Sequence, residues 1–272
     1  MGKKRIWGLA AGFIALVAVC MLGFPNSREE GAMRYVGVPD GAAGLIARYV
    51  LKEKMGRAAI ETVPFESYTL YDCCAGATQY ALGSGRLDMA IMCPDAAQSL
   101  VAKDRRFEIA GPVMMNSDIL ITRPGDVPGD TEIAVSQKRT VQRQMVSLRF
   151  GGRGRPVPML HSAVPYAYAR GMVSAAVVDI TKAYSLEGIL SAAAQNGRDF
   201  CTYVLVNKKS LRGTERYRRF MEIYGRTVRE MDDAAKLLKL LQTYVSANIT
   251  MGDLEKWKKM NVRFTDPINF QR

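Results

Sequence analysis

Strand and helix signals alternate along most of the chain, and this pattern constrains the fold more than any other feature. Apolar runs typical of buried strands occur at AMRYVGV (Ala32–Val38), IETVPF (Ile60–Phe65) and LDMAIM (Leu87–Met92). After the first run, the turn PDGAAG leads into Leu45–Met55, where apolar residues recur at helical spacing. Strands that alternate with helices indicate parallel pairing, so the sequence predicts an α/β protein.

The pattern of elements begins again in the second half of the chain. YALGSGRLDMAIMCPDAAQSL, from Tyr80, aligns with YAYARGMVSAAVVDITKAYSL, from Tyr166, and the residues at seven positions are identical at a constant offset of 86. This similarity favours two α/β lobes. The long strands near Asp118–Arg123 and Phe200–Asn207 are the predicted crossings between them.

The predicted regions follow from this pattern. Residues 31–122 and 200–272 form lobe 1 with its C-terminal helices, and residues 123–199 form lobe 2. Residues 1–30 stand apart: three basic residues precede Ile6–Phe24, an uncharged run of 19 residues. Such a segment is typical of a secretion signal or a membrane anchor.

The fate of this N-terminal segment is left open by the sequence. No clean cleavage site follows it, and Val19 is larger than the small residue expected before a lipidated cysteine at Cys20. We favour an uncleaved anchor, with a lipoprotein and a cleaved signal as alternatives. The basic end should stay in the cytoplasm, which predicts an extracytoplasmic, membrane-tethered protein.

The chain is basic, with a formal net charge of +12. Removing the three basic residues of the anchor leaves 12 − 3 = +9 on the exported part. An exported location argues against nucleic acid, and the sequence shows no aromatic–basic RNA motif and no helix-turn-helix pattern. Much of the excess lies in residues 210–230, which we interpret as a solvated helix facing an acidic membrane or partner.

Two segments carry a resemblance to a known family. A strand followed by PDGAAG and a helix opens the chain after the anchor, and in ALGSGRLDMAIMCPDAA an aspartate, Asp88, starts a buried strand. In these segments and in the order of its elements, the chain resembles the substrate-binding proteins of ABC transporters, of the nitrate/sulfonate/thiamine-precursor type. With its adjacent Cys73 and Cys74, it is also similar to the ABC transporter substrate-binding (seleno)protein family.

The resemblance implies a two-lobed periplasmic-binding-protein type 2 fold with a ligand cleft between the lobes. It also implies a receptor that catalyses no reaction and has no cofactor. The expected partners are a small-molecule ligand, an ABC permease to which the closed form delivers it, and the membrane through the N-terminal segment.

Ligands of open α/β sheets lie at the carboxyl ends of strands, near helix N-termini. This rule selects cleft positions in both lobes. The predicted ligand-binding residues are Asp40, Gly41, Cys73, Cys74, Cys93, Asp95, Ser136, His161, Asp179 and Tyr184.

The three cysteines among them suggest a thiol-rich cleft wall suited to a soft or electrophilic ligand. Core packing is the alternative for Cys93, and a strained disulfide is one for Cys73 with Cys74. Cys201 is predicted to be a core residue. The chain has no C-x-x-C spacing, which removes the support for thioredoxin-like chemistry or structural zinc.

Two other functional classes stay open. One is an enzyme on the same fold, with a cleft cysteine as nucleophile and His161 as its base. The other is a protein that handles soft metals or redox equivalents. The sequence has no P-loop, no G-x-G-x-x-G and no Ser/His/Asp triad order, and it leaves the ligand unidentified.

Overall fold

The computed structural model describes residues 33–55, 66–72, 76–125, 131–192 and 198–269. Residues from Met33 onward form one compact unit. The strands are β1 (Tyr35–Pro39), β2 (Glu66–Leu70), β3 (Met89–Met92), β4 (Phe107–Met115), β5 (Asp118–Thr122), β6 (Glu132–Ser136), β7 (Arg155–Met159), β8 (Ala175–Asp179), β9 (Ile189–Ala192), β10 (Cys201–Lys208) and β11 (Arg263–Phe264).

The α-helices of the described residues are α1 (Leu45–Tyr49), α2 (Gly76–Gly83), α3 (Pro94–Lys103), α4 (Thr140–Phe150), α5 (Ala163–Ala169), α6 (Ile180–Ala183), α7 (Glu215–Glu230), α8 (Ala234–Tyr244) and α9 (Met251–Lys259). A 3-10 turn at Ala42–Gly44 leads into α1, and a π-helical turn at Val50–Met55 continues it, so residues 42–55 form one helical segment. Another 3-10 turn occupies Lys209–Leu211.

In the described residues, the strands form two sheets. The first has the order β11-β4-β10-β3-β1-β2, in which β1, β2 and β3 are parallel and β10 is antiparallel to both of its neighbours. The second has the order β7-β6-β8-β5-β9, in which β6, β7 and β8 are parallel and β5 is antiparallel to β8 and β9. We call the part of the chain built on the first sheet lobe 1 and the part built on the second sheet lobe 2.

The chain crosses between the sheets at two adjoining places. It leaves the first sheet after β4 and enters the second at β5, and it returns into the first sheet at β10. Asn116, at the first crossing, has a left-handed backbone (φ 58°), and its backbone N–H donates to the carbonyl of Phe200 at 2.9 Å. The hydroxyls of Ser117 and Thr202 lie 2.8 Å apart. The two crossings are therefore hydrogen-bonded to each other.

The internal sequence similarity corresponds to equivalent structure in the two lobes. In lobe 1, α2 leads through Gly85 (φ 75°) to the buried strand β3, and in lobe 2, α5 leads through Gly171 (φ 71°) to the buried strand β8. Both glycines have the positive φ that glycine adopts without a steric cost. Both strands pair in parallel on one side and antiparallel on the other.

Helix α7 buries an apolar face and carries several of the chain's basic side chains on its exposed face. Thr214 caps its N-terminus, and Tyr217, Phe220 and Tyr224 are buried on one face. Arginines occupy the opposite, exposed face, at Arg218, Arg226 and Arg229 among others. Part of the excess charge therefore lies on a solvated helix face, as the sequence indicated.

The α/β class and the two-sheet architecture predicted from the sequence are confirmed. The proposed strand at Ile60–Phe65 and the apolar run Ile6–Phe24 lie outside the described residues. No helix in the described ranges has both the length and the apolar character needed to span a bilayer. Strand β5 pairs within the second sheet, so that sheet begins before residue 123, where the sequence placed the start of lobe 2.

Candidate functional site between the two lobes

Residues at or just after the carboxyl ends of β1, β3 and β8, together with the start of α4, form the contacts between the lobes. Asp179, at the end of β8, is completely buried and makes the most extensive of these contacts. Its Oδ1 accepts hydrogen bonds from the backbone N–H (2.9 Å) and the hydroxyl (2.6 Å) of Thr181 in its own lobe. Across the boundary, its Oδ1 and Oδ2 lie 3.1 and 3.2 Å from the donating backbone nitrogen of Ala42.

The electrostatic setting of Asp179 is dominated by its burial. Removal from water raises the pKa of this carboxyl above its ordinary value, and the hydrogen bonds from Thr181 and Ala42 oppose the shift only in part. The closed arrangement of the lobes therefore favours uptake of a proton at this position.

An ion pair joins the lobes beside Asp179. Nζ of Lys182 lies 2.7 Å from Oδ2 of Asp40. The guanidinium of Arg48 donates to the carbonyls of Asp40 (3.2 Å) and Gly41 (3.1 Å), which fixes the loop that presents the aspartate. This loop therefore has partners in both lobes.

A cavity of about 340 Å³ adjoins this ion pair. Its wall includes Asp40 and Lys182 together with Tyr184, Ile249 and Asp253. The hydroxyl of Tyr184 donates to the carbonyl of Asp253 at 3.2 Å, and burial raises the pKa of the phenol. A small molecule in this cavity would contact both lobes, one aromatic ring and a charged pair.

A third contact joins the lobes at the end of β3. Oδ2 of Asp95, in the first turn of α3, accepts a hydrogen bond of 2.8 Å from the backbone N–H of Thr140, the first residue of α4. A carboxylate from lobe 1 thus meets a helix start in lobe 2, which mirrors the contact of Asp179 with Ala42. The favourable interaction of a carboxylate with a helix N-terminus supports both contacts.

Ser136 and His161 lie next to each other at the ends of β6 and β7, with Oγ of Ser136 2.8 Å from Nδ1 of His161. Burial lowers the pKa of His161 below its ordinary value, and the positive charge of Arg139 lowers it further. The carboxylates of Asp179, Asp40 and Asp72 act in the opposite direction. The imidazole is therefore neutral near pH 7 and can accept or donate a hydrogen bond.

The strongest buried charge pair at the lobe boundary was not predicted from the sequence. Nη2 of Arg139 lies 2.8 Å from Oδ2 of Asp118, and both side chains are at most 1% exposed. The guanidinium also donates to the carbonyl of Thr202 at 2.9 Å and covers the ring of Tyr203, 4.8 Å from its centroid. The position of Arg139 just before α4, at the end of β6, is a signal that the strand-end rule could have used.

Of the three cysteines predicted to line the cleft, Cys93 alone lies within the described residues. Cys93 is completely buried at the start of α3, close enough to Asp118 to affect the pKa of that carboxyl. Cys201 is half-buried in β10, and burial raises the pKa of its thiol to about 11. Cys73 and Cys74 lie outside the described residues, so the thiol-rich wall stays a prediction.

The structure thus brings several predicted site residues to one boundary: Asp40, Gly41, Asp95 and Asp179 contact the opposite lobe or its side chains, and Tyr184 lines the adjoining cavity. Ser136 and His161 pair within lobe 2. Among the described residues, no three His, Cys, Asp or Glu side chains are close enough to hold a metal ion. A larger cavity, of about 680 Å³, lies elsewhere in lobe 1 and is lined by Tyr49, Glu230 and Tyr244 among others.

Solved structures of transport proteins share this fold. The zinc-bound ligand-binding component of an ABC-type import system from Staphylococcus aureus superposes with a TM-score of 0.66 at 12% sequence identity, over 86% of this chain and 85% of that chain. The alkanesulfonate-binding protein SsuA from Xanthomonas axonopodis pv. citri, bound to MOPS, gives a TM-score of 0.63 at 15% identity, over 87% of each chain.

A periplasmic substrate-binding protein of an ABC transporter from Coxiella burnetii gives a TM-score of 0.54 at 10% identity, over 79% of this chain and 98% of that chain. No protein-family profile and no curated protein sequence matches the chain. At these identities the likeness shows the fold, and the two-lobed periplasmic-binding-protein fold predicted from the sequence is confirmed.

Proposed function

We propose that this chain is the solute-binding component of an ABC import system, which captures a small ligand between its lobes and delivers it to a membrane permease. The observation that carries the proposal is the contact of Asp179 with Ala42, made across the lobes at the carboxyl ends of two central strands. Ligands of α/β proteins bind at such strand ends. The structural neighbours that are named as binding components of an ABC-type import system or an ABC transporter support the same reading.

The connections between the lobes are suited to opening and closing. Only two crossings are described, and they run side by side, joined at Asn116–Phe200 and Ser117–Thr202. A hinge absorbs rotation in a few residues at the ends of elements. Rotation about these crossings would separate Asp179 from Ala42 and Lys182 from Asp40 without changing either sheet.

The proposed location is outside the cytoplasmic membrane, with the chain tethered through residues 1–30. The basic start and the apolar run Ile6–Phe24 support this location. The neighbour from Coxiella burnetii, named as periplasmic, agrees with it. Delivery to a permease on the outer face requires such a location.

The proposal assigns no reaction to the cleft. Ser136 and His161 form a hydrogen bond of the kind a nucleophile makes with its base, but Ser136 is completely buried. Cys93 is likewise completely buried. Neither side chain is accessible to a solute in the closed arrangement of the lobes.

The experiment is a thermal-shift screen of the full chain in mild detergent against small solutes, followed by small-angle scattering with any solute that binds. A ligand that binds only the folded state adds about 2.7 kcal/mol to the free energy of unfolding at a hundredfold excess over Kd. The melting temperature therefore rises. If the free protein is open in solution, closure around the solute should also reduce the radius of gyration. If the free protein is already closed, the radius should stay the same.

Two leucine variants locate the binding site. Gly41→Leu places a side chain between the lobes and should abolish the thermal shift, whereas Gly213→Leu, at a glycine with no other atoms within 4 Å of its Cβ position, should preserve it. The proposal fails if no solute stabilises the wild type, or if Gly41→Leu binds the solute as tightly as Gly213→Leu does.

A further inference from the structure

The carboxylate of Asp179 occupies the start of the first helical segment of lobe 1. Residues 42–55 are helical throughout, and Ala42 is the first of them. The backbone N–H of Ala42 donates to both oxygens of Asp179, at 3.1 and 3.2 Å. The cap comes from residue 179 of the other lobe, so it forms only when the lobes are together.

Backbone N–H groups at a helix start, together with the helix dipole, favour negative charge. In a cleft that closes between two lobes, the start of residues 42–55 is where a carboxylate, sulfonate or phosphate group of a solute would be stabilised most strongly. In this protein, a side chain of the protein itself already takes that position. An anionic solute would have to displace Asp179 to reach it.

Two cationic side chains at the same boundary are also paired with carboxylates of the chain, whereas Arg48 donates to the carbonyls of Asp40 and Gly41. Lys182 lies 2.7 Å from Asp40, and Arg139 lies 2.8 Å from Asp118. An anionic solute would therefore have to break an existing ion pair to engage Lys182 or Arg139. This balance at the cleft contrasts with the net charge of +12 for the whole chain.

We propose that Asp179 is a specificity-determining residue that excludes anionic groups from the start of residues 42–55, so that the cleft takes a small solute whose end facing Ala42 is neutral or cationic. This inference rests on the proposed solute-binding function and names the class of solute. It sets this chain apart from an anion receptor on the same fold.

The exclusion does not depend on the ionisation state of Asp179. An ionised carboxylate repels a second anion, and a protonated one still fills the space and accepts from Ala42. The carboxylate lies close to the loop before Ala42, since a Cβ placed on the neighbouring Gly41 would lie 2.7 Å from Oδ2 and 2.8 Å from Cγ of Asp179.

The test measures binding of methanesulfonate by the full chain, in the wild type and in two matched serine variants. Asp179→Ser removes the carboxylate but keeps a hydroxyl for capping Thr181. Asp104→Ser removes a carboxylate that pairs with Arg106 away from the boundary between the lobes. We expect no thermal shift for the wild type with about 10 mM methanesulfonate, and at least tenfold tighter binding by Asp179→Ser than by Asp104→Ser, since one accessible backbone N–H and one removed repulsion favour the anion.

A second measurement does not depend on how the variants fold. In the solute screen with the wild type, we expect every stabilising solute to be neutral, zwitterionic or cationic. Stabilisation of the wild type by an anionic solute would overturn the inference while leaving the solute-binding function intact. Equal methanesulfonate binding by the two folded variants would also overturn it, and absence of binding by every class of solute would instead refute the proposed function.

Discussion

A Cβ on Gly41 would lie 2.7 Å from Oδ2 of Asp179, across the boundary between the lobes. The carboxylate cannot easily move away, because Thr181 and Ala42 both donate to it and it is completely buried. Gly41→Ala should therefore destabilise the closed arrangement rather than either lobe. Overpacking of a tight contact costs about 1–3 kcal/mol, which predicts ligand binding weaker by about 5- to 150-fold.

Titration calorimetry with a solute found in the screen measures this loss of affinity. Gly213→Ala is the control, since a Cβ there meets no other atom within 4 Å and it should bind as the wild type does. Circular dichroism should show intact secondary structure for both variants. Unchanged affinity in Gly41→Ala would mean that the contact with Asp179 is absent from the liganded form.

Arg139→Leu should destabilise the folded protein strongly. The substitution leaves Asp118 buried without its cationic partner, and removal of one partner of a buried pair costs about 3–5 kcal/mol. The lost hydrogen bond to the carbonyl of Thr202 and the lost contact with the ring of Tyr203 act in the same direction. Urea unfolding followed by tryptophan fluorescence gives the free energy of unfolding.

Two further variants test whether the lost stability comes from the unpaired charge of Asp118 or from the removal of any arginine. Arg153→Leu, at an exposed arginine just after α4, should change the free energy of unfolding by no more than about 0.5 kcal/mol. The double variant Arg139→Leu with Asp118→Leu should recover much of the lost stability, because no unpaired charge remains. A double variant no more stable than Arg139→Leu alone would contradict the charge explanation.

The sequence predicts the positions of single cleft residues better than the pairs they form. Asp40, Asp95 and Asp179 follow apolar runs directly, so the strand-end rule finds them without a structure. The partners they take across the boundary depend on how far the lobes close, which local sequence does not determine. Arg139 and Asp118 were missed because arginine and aspartate are almost never fully buried unless paired, and their pairing is a tertiary contact.

The sequence likewise predicts some strands of the two sheets and not others. Alternating apolar and helical segments predict the parallel strands β1, β3, β6 and β8, because each consists of a short buried run. The membership of β5 in the second sheet depends on where the chain turns between lobes, at Asn116. The short strand β11 pairs with the end of β4, more than a hundred residues away, and has no periodic pattern of its own.

The stability of the protein should respond to pH through Asp179. Burial raises the pKa of this carboxyl in the folded state above its ordinary value of 3.8, so the folded state binds a proton more readily than the unfolded chain. Its ionisation therefore costs stability at neutral pH, and this cost disappears as pH falls toward 3.8. Relative to Asp179→Asn, which cannot ionise, the wild type should gain stability as pH is lowered from 7.5 to about 4.5.

Urea unfolding of both proteins across this pH range tests the direction. Asp199→Asn provides a control of opposite sign, because hydrogen bonding by Asn116 and the charge of Arg263 lower the pKa of Asp199 in the folded state. Because the lowered pKa lies below 3.8, the wild type should keep a constant stability relative to that variant from pH 7.5 to about 4.5 and lose it only as pH falls further, toward about 3. The same slope for both comparisons would contradict the assignment of a raised pKa to Asp179.

The described thiols should be poorly reactive in the native protein. Alkylation requires the thiolate, and the pKa of about 11 at Cys201, raised by burial, leaves roughly a hundredfold less thiolate at pH 8 than an exposed cysteine has. Cys93 is completely buried, so reagent cannot reach it without opening of the lobes. Iodoacetamide at pH 8 should therefore label both residues at least a hundredfold more slowly in the native chain than in urea, as measured by mass spectrometry of their separate peptides. Rapid native labelling of Cys93 would show that lobe opening exposes the end of β3, and a solute that closes the lobes should then slow it.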